Sequence, residues 1–97
     1  ISVVDSKGKM KTGKQKKYNI AGPLCFAGDI LEQNVFMPEV EEGDYIIIHD
    51  TGAYTSSMWS RYNSRQFPKV LGYEEEGKKF SVLKVRESLE SIKKFWI

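Results

Sequence analysis

A chain of 97 residues can enclose one modest core, which leaves no room for two full domains. With 40% hydrophobic and 29% charged residues it should fold, and it has no apolar run near the ~20 residues that a membrane helix needs. The net charge of +2 is small, and one cysteine with one histidine excludes an internal disulfide and a tetrahedral zinc site. The absence of a charged n-region followed by an apolar stretch, with a thiol that suits a reducing compartment, predicts a soluble, cytoplasmic protein.

Residues 1–4 are apolar and β-branched and lead into Asp5-Ser6-Lys7-Gly8, which predicts a strand entering a turn. Six lysines (Lys7, Lys9, Lys11, Lys14, Lys16, Lys17) follow without an acid between them. Such a run can bind phosphate backbones by counterion release. A solvated hairpin tip is the better reading, because Gly8 and Gly13 suit an exposed turn and no arginine or aromatic residue is interleaved to stack on bases. Tyr18 to Ala21 resumes an extended pattern until Gly22-Pro23 interrupts it. Val35 to Met37 is a short apolar piece, and an acidic turn from Glu39 to Gly43 leads to Tyr45-Ile46-Ile47-Ile48-His49. That run predicts a strand buried on both faces, since its apolar residues do not alternate with polar ones. A short helical turn is expected near Tyr54 to Met58. Residues 69–73 and 80–85 predict a hairpin turning at Gly77, and Ser88 to Phe95 predicts a short amphipathic helix with Lys93 and Lys94 complementing its dipole. The expected fold is mainly β, a Greek-key-like barrel or sandwich with a short C-terminal helix.

Two segments could carry chemistry. Gly22-Pro23-Leu24-Cys25-Phe26-Ala27-Gly28-Asp29 surrounds the lone thiol with residues that specify unusual backbone angles, followed by an acid. Taken alone, a single cysteine is more often a small buried hydrophobe than a reactive group. The stretch from Asp50 to Asn63 is dense in hydroxyls and aromatics just beyond a strand, although each aromatic taken singly reads as packing. His49 reads as structural or exposed. The chain has no G-x-x-x-x-G-K-[ST], G-x-G-x-x-G or H-E-x-x-H motif.

Together, "GPLCFAGDIL" and "MPEVEEGDYIIIHDTGAYTSSMWSRYNSRQFPKVL" resemble the C-terminal β-domain of the diaminopimelate, ornithine and arginine decarboxylases, pyridoxal-phosphate enzymes of the alanine-racemase-like fold type. The similarity spans about Tyr18 to Tyr73, with weaker support from "VRES" at Val85 to Ser88, and it rests on G-P-x-C-x-x-x-D, G-D and G-A-Y in that order. The resemblance implies that residues 1–97 form the C-terminal domain of a larger enzyme. An N-terminal (β/α)8 barrel, absent from this sequence, would supply the Schiff-base lysine and most of the pyridoxal 5'-phosphate site, so these residues alone should be inactive.

It further implies a homodimer acting on an amino-acid substrate. Cys25 would reach the partner subunit's active site as catalytic acid. Tyr54 would bind the cofactor phosphate, Asp29 would help pair the subunits, and Asn63 would line the site. Where family members handling diaminopimelate or ornithine place an acid for the substrate's distal amino group, this sequence has Phe26. The implied activity is amino-acid decarboxylation with an altered substrate. The alternatives are a catalytically silent homologue that binds a regulatory partner and, further off, a basic β-barrel that binds nucleic acid.

Overall fold

The computed structural model describes residues 1–97 and divides into two compact units, residues 1–57 and 58–97. The strands pair two by two, in three antiparallel two-stranded sheets with one short C-terminal helix. The mainly β expectation is met, but the sheets do not close into a barrel. No helix is long and apolar enough to cross a membrane.

In the first unit, β1 (Ser2–Val4) pairs with β4 (Tyr45–Ile47), and β2 (Gln15–Ala21) pairs with β3 (Ile30–Pro38). Period-two alternation turns Tyr18 and Ile20 inward on β2, and Val35 and Met37 inward on β3. Val3, Ile20 and Met37 form the enclosed core, with Tyr18, Val35, Val40 and Ile46 packed against it. The Tyr18 hydroxyl accepts the Val40 N–H at 3.0 Å, so the ring packs while its polar tip holds the chain that leaves β3.

Three expectations are corrected in this unit. The strand expected through His49 stops at Ile47, and it is not buried on both faces: Tyr45 is 61% and Ile47 41% exposed, because β4 pairs only with three-residue β1. Lysine-rich residues 15–17 are strand and not loop, since β2 finds a full partner in β3 across Gln15↔Pro38, Lys16↔Met37 and Lys17↔Phe36. The lysines also meet acids brought from the 39–44 turn. Lys16 pairs with Glu39, and Lys11 reaches Asp44 at 2.6 Å and Glu41 at 3.5 Å. Finally, residues 53–58 form turns without a helix.

The second unit holds the expected hairpin, β5 (Val70–Glu74) with β6 (Lys79–Lys84), and the helix α1 (Leu89–Phe95). The left-handed turn residue is Lys78 at φ 47°, not Gly77. Ser88 caps α1 by accepting the Ser91 N–H at 3.1 Å, which satisfies one of the orphan donors of the first turn. Of the predicted apolar stripe only Ile92 is buried, while Leu89, Phe95 and Trp96 are 74%, 60% and 66% exposed. The hairpin is equally bare on its apolar side, with Tyr73 and Phe80 stacked across the strands at 4.8 Å and both exposed.

Adjacent residues on β3 separate enclosed from uncovered apolar surface. Met37→Ala should cost about 2–5 kcal/mol in urea denaturation of the 97-residue chain. Phe36→Ala, at a side chain 67% exposed, should cost less than about 0.5 kcal/mol. Equal losses would show that Phe36 is covered after all.

Candidate functional site

The segment from Gly22 to Asp29 folds into a closed loop between β2 and β3. The Gly22 N–H donates to the Asp29 carbonyl at 2.8 Å, continuing the ladder, and inside the loop Phe26 N–H reaches Leu24 O at 2.8 Å and Asp29 N–H reaches Phe26 O at 3.1 Å. The half-buried Asp29 side chain completes the closure, its Oδ2 accepting the Leu24 N–H at 2.8 Å. Two glycines lie close to side chains of the loop, Gly22 to a carboxylate that holds a backbone amide and Gly28 to the far end of the exposed Phe26 ring. A Cβ on Gly22 would collide with the Asp29 carboxyl group, and one on Gly28 would stand 2.6 Å from Cζ of Phe26. The loop therefore turns Cys25 to the surface and lays the Phe26 ring, 62% exposed, over Gly28.

Tyr54 stands on a second loop of the same unit, after β4. It is 74% exposed and held at φ 66°, a left-handed angle that non-glycine residues avoid. Hydroxyls fold this turn onto itself, with Thr55 Oγ1 donating to Gly52 O and Ser57 Oγ to Tyr54 O, both at 3.3 Å. For a phosphate the turn offers one phenolic donor among hydroxyls. Such a donor set fits one added hydrogen bond to a cofactor phosphate and is not by itself a phosphate cradle.

In the second unit, Asn63 (φ 57°) and Ser64 (φ 55°) take left-handed angles in succession within a 3₁₀ turn, Tyr62–Ser64. Asparagine tolerates that conformation better than most residues. The segment around them is fastened by Glu87, just before the Ser88 cap. Arg61 Nη1 and Nη2 grip its carboxylate bidentately at 2.8 and 2.6 Å, the Phe67 N–H donates to Oε2 at 3.0 Å, and Ser91 Oγ donates to Oε1 at 3.3 Å. The Arg61 guanidinium lies over the rings of Trp59 and Phe95 at 5.1 and 4.8 Å. The hydrogen bonds from Arg61, followed by that from the Phe67 N–H, hold the Glu87 carboxyl far below the usual range, at about 2.

A model of the pyridoxal-dependent decarboxylase C-terminal sheet domain matches residues 1–52, more than half of the chain. The chain belongs to this family. The diaminopimelate decarboxylase of Helicobacter pylori is 42% identical over 74 residues, covering 76% of this chain and 18% of that protein. That of Escherichia coli K12 is 53% identical over 60 residues, covering 54% and 14%. A crystal structure of diaminopimelate decarboxylase superposes with a TM-score of 0.84 at 30% identity, over 98% of this chain and 24% of that one. The chain thus spans about a fifth or less of the curated relatives it matches.

Cys25, Phe26 and Asp29 share one loop inside the stretch matched by the family model, whereas Tyr54 and Asn63 lie beyond it. Tyr54 occupies a different turn of the first unit, and Asn63 belongs to the second. Arg61 and its partner Glu87 carry no local signal in the sequence that ties them together. No spacing rule couples residues 26 apart through a turn and a hairpin, and the only available signal was the position of Glu87 inside "VRES".

Because the folded-state pKa of Glu87 is depressed, its contribution to stability is complete above its unfolded value of about 4.5 and drains away as the pH falls toward about 2. Thermal melts between pH 6 and pH 2 should show Glu87→Gln less stable near neutrality and with a shallower decline over that window. Asp44 and Glu39, lowered chiefly by hydrogen bonds from Lys11 and Lys16, preserve part of the slope. Parallel curves for the two proteins would contradict the assignment.

Proposed function

We propose that this chain is the part of a pyridoxal-phosphate-dependent amino-acid decarboxylase that completes the active site and the dimer interface. The observation that carries the reading is the closed Gly22 to Asp29 loop, which presents Cys25 and Phe26 outward in a chain of this family. A thiol on the surface of its own domain serves a reaction only in a site built with another body, and an exposed loop tip is the part best placed to enter one. Cys25 is offered to the active site of a second subunit, and Asp29 fixes the shape of the loop that pairs with it. Tyr54 donates its phenolic hydroxyl to the cofactor phosphate within its own subunit, and Asn63 lines the site.

Pyridoxal phosphate, when bound by the enzyme, supplies the electron sink that lets the carboxylate leave as carbon dioxide. The chain's own step is the replacement of that group. The Cys25 thiol donates its proton to the substrate's α-carbon, so that one C–C bond breaks and one C–H bond forms, and the thiolate recovers a proton from solvent. Phe26 sets the far end of the substrate. An aromatic ring does not pair an ammonium as a carboxylate does, and a cation over its face gains only about 0.5–2 kcal/mol. The preferred substrate is therefore an amino acid other than one whose distal amino group is met by an acid at position 26.

In the full-length protein, Cys25→Ala should slow product protonation on the order of 10²-fold or redirect it to the other face of the α-carbon, read from deuterium incorporation in the product. Tyr54→Phe should instead weaken cofactor retention roughly tenfold, the worth of a hydrogen bond to a charged group. An unchanged rate and stereochemical course in the cysteine variant would end its assigned role.

Phe26→Glu tests the substrate. Activity across a panel of amino acids should move toward those with a distal ammonium, and an unchanged profile would remove Phe26 from recognition.

A further inference from the structure

Residues 61–67 pose a physical question. Two consecutive non-glycine residues, Asn63 and Ser64, hold left-handed angles there, a combination that an unrestrained chain avoids. Within the segment, Ser64 N–H reaches Arg61 O at 2.9 Å, and Arg61 Nη1 reaches Arg65 O at 3.4 Å. One residue from the far side of the hairpin bonds to both ends of the segment. Glu87 holds its beginning through the Arg61 guanidinium and its end through a reciprocal pair with Phe67. In that pair, Phe67 N–H donates to the Glu87 carboxylate at 3.0 Å and Glu87 N–H donates to Phe67 O at 3.1 Å. Gln66 Nε2 adds a bond to the Glu87 carbonyl at 2.6 Å. The side chains of Arg61 and Glu87 are 17% and 14% exposed, so water competes weakly for their charges.

We infer that Glu87, acting through Arg61 and the Phe67 amide, is the positioning residue that holds the Tyr62–Asn63 segment in the conformation the active site requires. This rests on the reading that Asn63 lines that site. Glu87 sets the two ends of the loop whose middle carries Tyr62 and Asn63. The rings of Trp59 and Phe95 hold Arg61 in place for this contact, which makes the clamp rigid and not merely attractive. Misplacing a substrate-facing group by about an ångström costs on the order of 10²-fold in rate, so a clamp remote from the chemistry can control it.

The test is a double-mutant cycle in the full-length protein, with Glu87→Ala, Asn63→Ala and their combination. Each single variant should lower kcat/KM on the order of 10-fold to 100-fold. The double variant should be no worse than Asn63→Ala alone, because a clamp has nothing left to position once that side chain is gone. Hydrogen exchange at the Phe67 amide should accelerate in Glu87→Ala. Glu87→Gln, which keeps an acceptor for that amide, should recover part of both effects. Losses that multiply in the double variant, or normal kinetics in Glu87→Ala, would overturn the inference while leaving the role of Asn63 intact. Normal kinetics in Asn63→Ala would overturn the site reading and the inference together. If Glu87→Ala does not accumulate as folded protein, Arg61→Met takes its place in the same cycle with the same two outcomes.

Discussion

Apolar side chains stabilise a fold only where they leave water, and that constraint governs both units of this chain. Val3, Ile20 and Met37 are the enclosed core of the first unit, and Ile92 is that of the second. Beside them Phe36, Leu31 and Tyr45 in the first unit, and Leu71, Phe80, Leu83, Leu89 and Trp96 in the second, stay largely exposed. Exposed large apolar side chains in this number are unusual for a chain that stands alone. They agree with a family in which the matched relatives are more than four times as long. The strands are short or paired on one side only, and the candidate site residues sit on loops and turns between them.

With so little core, the loops are shaped by acids that close onto backbone amides. Asp5 Oδ1 accepts the N–H groups of Lys7 and Lys9 at 2.8 and 2.9 Å, and Asp44 Oδ2 accepts that of Glu41 at 2.8 Å. Asp29 does the same for Leu24, and Glu87 for Phe67. Each carboxylate replaces water at a donor that the turn leaves orphaned, and each prescribes one loop conformation. Two of the four define turns of no evident chemistry. The other two fix the loop of Cys25 and the loop of Asn63, so the same device builds the scaffold and aims the site.

Much of this was legible in the sequence. The β1 strand, the hairpin of residues 69–85 and the capped helix follow from local signals: β-branched runs, a turn-forming Glu-rich stretch, and Ser88 ahead of an apolar period. The candidate site was legible for a different reason, because G-P-x-C-x-x-x-D and G-A-Y are specific in combination. What escaped depends on contacts between distant residues. Lys16 and Lys17 read as loop because their partners Met37 and Phe36, and the acids of residues 39–44 that meet Lys11 and Lys16, lie about twenty or more residues along the chain, beyond the reach of local signals. Ile46 and its neighbours read as doubly buried because composition reports hydrophobicity but not whether a second layer is present. Glu87 read as part of a motif, and its use became visible only when the hairpin brought it against Arg61.

In the proposed function, this domain gives Cys25 to one active site and Tyr54 to the other across a two-fold dimer. Co-expression of Cys25→Ala subunits with Tyr54→Phe subunits, assayed at limiting cofactor, addresses it directly. In a mixed dimer one site would receive an intact Tyr54 from its own subunit and an intact Cys25 from the partner, while the other site would lack both. With random pairing, activity should rise above the average of the two parent variants toward roughly one quarter of the unmodified enzyme. Activity that stays at the average of the parents would mean that both residues serve the same subunit's site, and the shared arrangement would be wrong.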